Sequence, residues 1–234
     1  DINTSAIRVS KTKPTSYTDV ITVRGTGQRT FFHDRGANSE WGFEDIPFEK
    51  FSTFKIAQIG YILLLDGMDA EDPEYGTVMA KAFAQFQRLG MKTAVDVVSE
   101  NSDRFTRLVT PALRYVDYLI LNEFEAGRTV GIDLRNEDGR LRAEHLRVTA
   151  EQLLEKGNSE LVVIHMPEGA YALTQSNHEV KVPSYLLPEE EIAGTVGAGD
   201  AFCSGVLYSL AKDMSLEDAL HLGTTLAACN LFSP

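Results

Sequence analysis

Cysteine is nearly absent: 234 residues carry two, Cys203 and Cys229, and no Cys-x-x-Cys pair exists. A disulfide between them has no motive, and both read as small core residues of a reduced compartment, the cytoplasm being the default. Long apolar runs are also missing. The longest are short pieces such as 62–65 and 161–164, far below the roughly 20 residues of a membrane-spanning helix. The first residues lack the charged and apolar regions of a signal peptide. Positive charge is scarce: 22 Lys and Arg against 34 Asp and Glu give a net charge of −12. A nucleic-acid surface needs a basic face, so that class of partner is excluded along with the membrane. A small anionic ligand is not, because a local anion hole needs only a few donors. No internal repeat, low-complexity tract or Pro/Gly/Ser linker divides the chain.

What remains is ordinary for a globular protein, with 43% hydrophobic and 24% charged residues, and long enough for one large α/β domain or two small ones. Residues 1–41 read as β structure, with β-rich runs at 20–24 and 29–33 around a hairpin signal, Gly25-Thr-Gly-Gln28. After Trp41 strands and helices alternate. Strands are predicted at 55–60, 92–98, 117–121 and 160–165. Helical spacing covers 73–89, 103–116 (with Pro111 expected to bend or interrupt it), a short stretch after Asn122, 141–156, 198–212 and 216–231. Residues 170–187 read as one or two hairpins. Strands separated by helices imply a mainly parallel sheet covered on both faces, with ligands beyond the carboxyl ends of the strands. Trp41 and Phe43 read as core or lid packing.

The stretch Glu191-Ile-Ala-Gly-Thr-Val-Gly-Ala-Gly-Asp-Ala-Phe-Cys-Ser-Gly205 stands out. Gly194, Gly197 and Gly199 permit a tight turn, and an apolar, helix-like run begins at Asp200. A turn that opens a helix aims unpaired N–H groups at one point, with the positive end of the helix dipole behind them. Asp200 beside such a hole reads either as a base or as a plain helix cap. No Gly-Lys-Ser/Thr follows, so this is not a P-loop, and Phe202 stands where a dinucleotide fingerprint needs its third glycine.

Gly194-Thr-Val-Gly-Ala-Gly-Asp-Ala-Phe202 resembles the C-terminal signature of the ribokinase-like (PfkB) carbohydrate kinases. Leu121-Asn-Glu-Phe-Glu125 resembles that family's Asn-x-x-Glu motif at a strand end, Val162–Gly169 (162–169) its nucleotide loop, and the β run followed by Gly36-Ala-Asn38 its passage from lid to core. Four motifs in family order extend the likeness over essentially the whole chain. It implies an α/β fold with a small β lid: 1–41 a partial lid leading into the core, 42–234 the nucleotide- and substrate-binding core. Members normally begin with a strand, a sugar-binding Asp and a Gly-Gly-x-x-x-Asn segment, and end with a further loop and helix. This chain begins after the former and stops before the latter, so a fragment truncated at both ends is expected.

The resemblance implies an ATP-dependent kinase of a sugar or sugar acid, with a nucleoside kinase or a non-catalytic binding homologue as alternatives. Asp200 would be the general base, and the amides of Gly197, Ala198, Gly199 and Asp200 the anion hole. Asn122 and Glu125 would organise Mg²⁺ through its waters; the local pattern alone favours a helix N-cap with its capping-box partner, and both can hold at once. His165, Gly169, Thr195 and Thr224 fall where the family contacts the nucleotide. His33, Arg35, Asn38 and Asp96 are candidates for the acceptor side, Arg35 as a carboxylate partner if the acceptor is a sugar acid. The family usually has Asp where Gly194 stands, and in some members it helps hold a monovalent cation; its loss puts potassium activation in doubt. The loop His165-Met-Pro-Glu-Gly169 is shorter than usual, with Pro167 where a glycine is common. Lid-to-lid dimerisation is a family habit and the hairpin has an edge that could pair, so the resemblance allows a homodimer through the lid.

Overall fold

The computed structural model describes residues 2–23, 29–97 and 104–233. It opens with β1 (Tyr17–Thr22) and β2 (Arg29–Asp34), antiparallel from Tyr17 opposite Asp34 to Thr22 opposite Arg29. The predicted turn at 25–28 lies outside the described residues. Between β2 and the main sheet the chain makes only short 3-10 turns, and Trp41 and Phe43 pack half-buried against the core.

β3 (Ile56–Ile62) leads into a one-turn helix, α1 (Asp66–Asp69), and a minimal antiparallel pair, β4 (Glu71–Asp72) and β5 (Gly76–Thr77). That pair corrects the helix expected from residue 73, because α2 (Val78–Arg88) begins only at Val78. Asp72 Oδ1 accepts the amides of Glu74 (3.0 Å) and Tyr75 (2.9 Å), a local turn that competes with helix. Thr77 then caps α2 by accepting from the Ala80 amide at 3.2 Å.

β6 (Lys92–Val97) and α3 (Arg104–Leu113) follow, and Pro111 lies inside that helix without ending it. Pro111 has no N–H to give the Arg107 carbonyl and its ring crowds that carbonyl, and the helix runs only two residues beyond it. Next come β7 (Tyr118–Asn122), α4 (Glu123–Val130), α5 (Leu146–Gly157) and β8 (Leu161–Met166). α5 starts later than the predicted 141, after a 3-10 turn at Ala143–His145. A single hairpin of β9 (Gly169–Thr174) and β10 (Glu179–Pro183) precedes α6 (Ala198–Ala211) and α7 (Leu216–Asn230).

The six-stranded sheet runs β10-β9-β8-β7-β6-β3, with β3, β6, β7 and β8 parallel and the last hairpin antiparallel. Side chains alternate between faces at period two, and the two cores follow from that. Val95, Leu119, Leu121, Val162 and Ile164 pack on the face covered by α2, α3 and α5. Ala94, Ile120, Leu161 and Val163 meet Phe202, Val206 and Leu220 of α6 and α7 on the other. Of the cysteines, Cys203 is buried here as expected, whereas Cys229 is exposed on α7. Among the described residues no helix is long and apolar enough to cross a membrane.

The parallel strands end side by side. Ile62 pairs with Val97, and Asn122 with His165, so Tyr61, Asp96, Asn122 and His165 line up along one carboxyl edge.

Candidate active site

α6 begins without a side-chain cap. Its N-cap is Gly197 in the left-handed region at φ 83°, and the backbone bond from the Ala201 amide to the Gly197 carbonyl (2.8 Å) closes the first turn. The amides of Ala198, Gly199 and Asp200 precede that bond, at the positive end of the helix dipole. A side chain at 197 would be strained by φ, although its Cβ would meet Asn230 only at an ordinary contact distance of 3.4 Å. The preceding loop is fastened to the end of α7, since the Ala193 and Gly194 amides both reach the Leu231 carbonyl (2.8 and 3.4 Å).

This turn separates two cavities. One, of about 760 Å³, is walled by Asp200, Asp96, Tyr61, Asn122, Glu125 and His33. The other, of about 540 Å³, has Gly169, Thr224, Tyr185 and Phe202 among its walls. His165, Thr195 and Gly199 belong to both. Of the residues singled out from sequence, the structure thus gathers Asp200, Gly197, Gly199, Asn122, Glu125, His33 and Asp96 around the first cavity. Ala198, Gly169 and Thr224 line the second. Arg35 and Asn38 are not brought in: the Arg35 guanidinium pairs with Asp66, and Asn38 is exposed in the 3-10 turn Gly36–Ser39.

Asn122 caps α4. Its Oδ1 accepts from the Phe124 amide (3.0 Å) and the Glu125 amide (2.9 Å), and Glu125 Oε2 accepts from the Asn122 amide at 3.1 Å. The capping box is therefore real, and it also fixes both side chains in the cavity wall. Among the described residues no cluster of three His, Cys, Asp or Glu is arranged to hold a metal. The donor set present, one buried carboxylate and one amide at a strand end, suits a hard divalent ion that keeps its waters and binds through phosphates.

The electrostatics are dominated by carboxylates facing a half-enclosed space. Burial, together with the charge of Asp200, pushes the Asp96 carboxyl up to about 7, against a bond from the Val97 amide (2.9 Å). Burial first, and then the same two carboxylates, push the Cys203 thiol up to about 12, so it stays protonated. His165 is pulled down to about 4 by burial alone. The ring is neutral and packs against Phe202 with centroids 4.9 Å apart and planes tilted by 32°, and a Cβ at Gly199 would touch it at 3.3 Å. It braces the start of α6. On the lid, His33 Nδ1 and Thr18 Oγ1 lie 2.7 Å apart.

Two features escaped sequence reasoning. Tyr61 donates its hydroxyl to Asp200; its position at the carboxyl end of a parallel strand was the available signal. Arg135 grips Glu123 (Nε 3.0 Å, Nη2 2.7 Å) and Glu168 (Nη1 2.6 Å, Nη2 2.9 Å), tying the start of α4 to the loop before Gly169. Thr224, by contrast, is a helix residue as well as a cavity wall, its hydroxyl donating to the His221 carbonyl at 3.0 Å.

Comparison with solved structures defines the fold as ribokinase-like. The chain superposes on adenosine kinase from Sinorhizobium meliloti with a TM-score of 0.71, covering 93% of this chain and 61% of that one at 22% identity. Arabidopsis thaliana ribokinase, solved with ribose and ATP, gives 0.70 over 94% and 64% at 18% identity. The chain belongs to the pfkB family of carbohydrate kinases, whose profile matches residues 1–234. Among curated proteins, a sugar kinase described as uncharacterized from Archaeoglobus fulgidus is 23% identical over 215 residues, 91% of this chain and 75% of that protein. The chain spans less than two thirds of the two solved structures.

Proposed function

We propose that the protein is an ATP-dependent phosphotransferase acting on a hydroxyl of a sugar or sugar acid. The observation that carries this reading is the placement of Asp200 in the first turn of an uncapped helix, facing the cavity that Asn122 and Glu125 also wall. The acceptor occupies that larger cavity, and the nucleotide base and ribose occupy the smaller one, between Gly169 and Thr224. The terminal phosphoryl then sits at the turn shared by both.

Asp200 takes the proton as the acceptor oxygen forms its bond to the γ-phosphorus and the bond to ADP breaks. The amides of Gly197, Ala198, Gly199 and Asp200 face the charge gathering on the transferred group, where preorganised donors need no reorganisation. Asn122 and Glu125 are the residues that would hold magnesium through its waters; bound there, the ion neutralises phosphate charge. The lid residues Thr18, Val20, Phe31 and His33 close the acceptor side and keep water out.

A nucleoside is the second reading for the acceptor, favoured by the apolar wall that Val20 and Phe31 offer to a base. A sugar acid is less well served than expected, because Arg35 is committed to Asp66. ATP turnover by the full-length protein against sugars, sugar acids and nucleosides separates these. Asp200→Asn is expected to lower transfer by roughly 10²–10⁴-fold while nucleotide affinity stays within a few-fold. Normal turnover by that variant would remove Asp200 as the base, and no transfer to any of the panel would favour a binding protein.

A further inference from the structure

Asp200 is exposed, at the rim of the cavity. A solvent-facing carboxylate samples several rotamers, and a general base is effective only within hydrogen-bond reach of the proton it removes. Something must choose among those rotamers. Among the described residues no side chain other than Tyr61 hydrogen-bonds the Asp200 carboxylate. The two residues are 139 positions apart and come from different elements, the end of β3 and the first turn of α6.

β3 pairs in parallel with β6 through Ile59 opposite Val95 and again at Ile62 opposite Val97, with a register shift across Gly60 and Tyr61. A Cβ on Gly60 would lie 3.0 Å from Asp96 Cβ, so the backbone next to Tyr61 is packed closely against β6. The Tyr61 ring is half-buried along the wall of the same cavity.

We infer that Tyr61 is a positioning residue for the candidate base: its hydroxyl holds one carboxylate oxygen of Asp200 so that the other is aimed into the cavity at the acceptor hydroxyl. The inference rests on the reading of Asp200 as base. The phenol is suited to the task because it can only remain a donor: burial, its bond to Asp200 and the charges of Asp96 and Asp200 all raise its pKa. It therefore never becomes an anion that repels Asp200 at any working pH. Fixing a reacting group in advance in this way removes an orientational cost from the transition state, and a misplacement of about 1 Å can cost on the order of 10²-fold in rate.

A double-mutant cycle in the full-length protein tests it, using the acceptor that the panel identifies. Tyr61→Phe removes one oxygen and keeps the ring. It is expected to lower kcat by roughly 10–100-fold, with the KM for ATP unchanged within about twofold because the nucleotide cavity does not include residue 61. In the Asp200→Asn background the same substitution should alter the residual rate by less than about twofold, since a residue acting through another has nothing left to act on. A merely structural role would lower both backgrounds alike. Losses that multiply, or a Tyr61→Phe enzyme with the parent kcat, would overturn the inference while leaving Asp200 as base. An Asp200→Asn enzyme with the parent rate would instead remove the base itself, and the inference with it.

Discussion

Asp96 shares a cavity with Asp200, and burial first, then the charge of Asp200, push its carboxyl up to about 7. The consequence for stability has a definite sign. The folded state holds the proton on Asp96 more tightly than the unfolded chain does, so folding is favoured most at low pH. That contribution is lost as the pH rises from about 4, where an unfolded carboxylate titrates, through the folded value. Asp96→Asn keeps the shape and removes the titration. Its stability relative to the parent should rise across the window from about pH 4 to 7, by at most about 4 kcal/mol for a shift of this size. Melting curves of the two proteins at matched pH measure the difference. Parallel pH profiles would mean that Asp96 is solvated and that the two carboxylates scarcely interact. The neighbouring thiol of Cys203, already protonated throughout this range, does not confuse the measurement.

At the scale of elements, the start of α6 is placed by its crossing with α7. A Cβ on Gly205 would lie 2.9 Å from both Cα and N of Gly223, and one on Gly223 would lie 2.9 Å from the Phe202 ring and from Val206. Neither backbone nor buried ring can yield cheaply, so the two helices touch only because both positions are glycine. Gly205→Ala is expected to destabilise by about 1–3 kcal/mol as an overpacked interior does. Ser204→Ala, on the exposed side of the same helix, should stay within about 0.5 kcal/mol. Denaturant midpoints decide it, and equal midpoints would show that the crossing has slack. The alternation of strands and helices was legible in the sequence because buried parallel strands and amphipathic helices have different periods, and Gly197 through Phe202 was legible because a helix start next to a glycine turn has its own chemistry. Less was legible where a local polar side chain outcompetes periodicity, as Asp72 does ahead of α2, or where a role depends on contact across the fold. Nothing near Tyr61 in the chain announces Asp200, and nothing near Arg135 announces Glu168. Arg35 failed for the same reason, its partner Asp66 being invisible until the chain is folded.

For the whole molecule, the unresolved balance lies in the lid. Cross-strand partners share a face, so the register of β1 with β2 divides the hairpin into two sets. Thr18 with His33 and Val20 with Phe31 form the face that walls the larger cavity. Tyr17, Ile21 and Phe32 belong to the opposite face, where they are 56%, 57% and 57% exposed. Among the described residues the ribbon has two strands, and a two-stranded ribbon with an exposed apolar face is marginal in water. A second copy offering the same face would cover it with twofold symmetry, the lid-to-lid arrangement that the family resemblance allows. The full-length protein is accordingly expected to sediment as a dimer at micromolar concentration, and the pair Ile21→Ser with Phe32→Ser to sediment as a monomer. Because the inner face would then lose its support, the monomer should bind the acceptor more weakly, roughly tenfold for each ~1.4 kcal/mol of lost ordering, while ATP affinity is unchanged. A parent protein that is already monomeric, or a double variant that still dimerises, would show that a second copy does not cover the outer face of the lid.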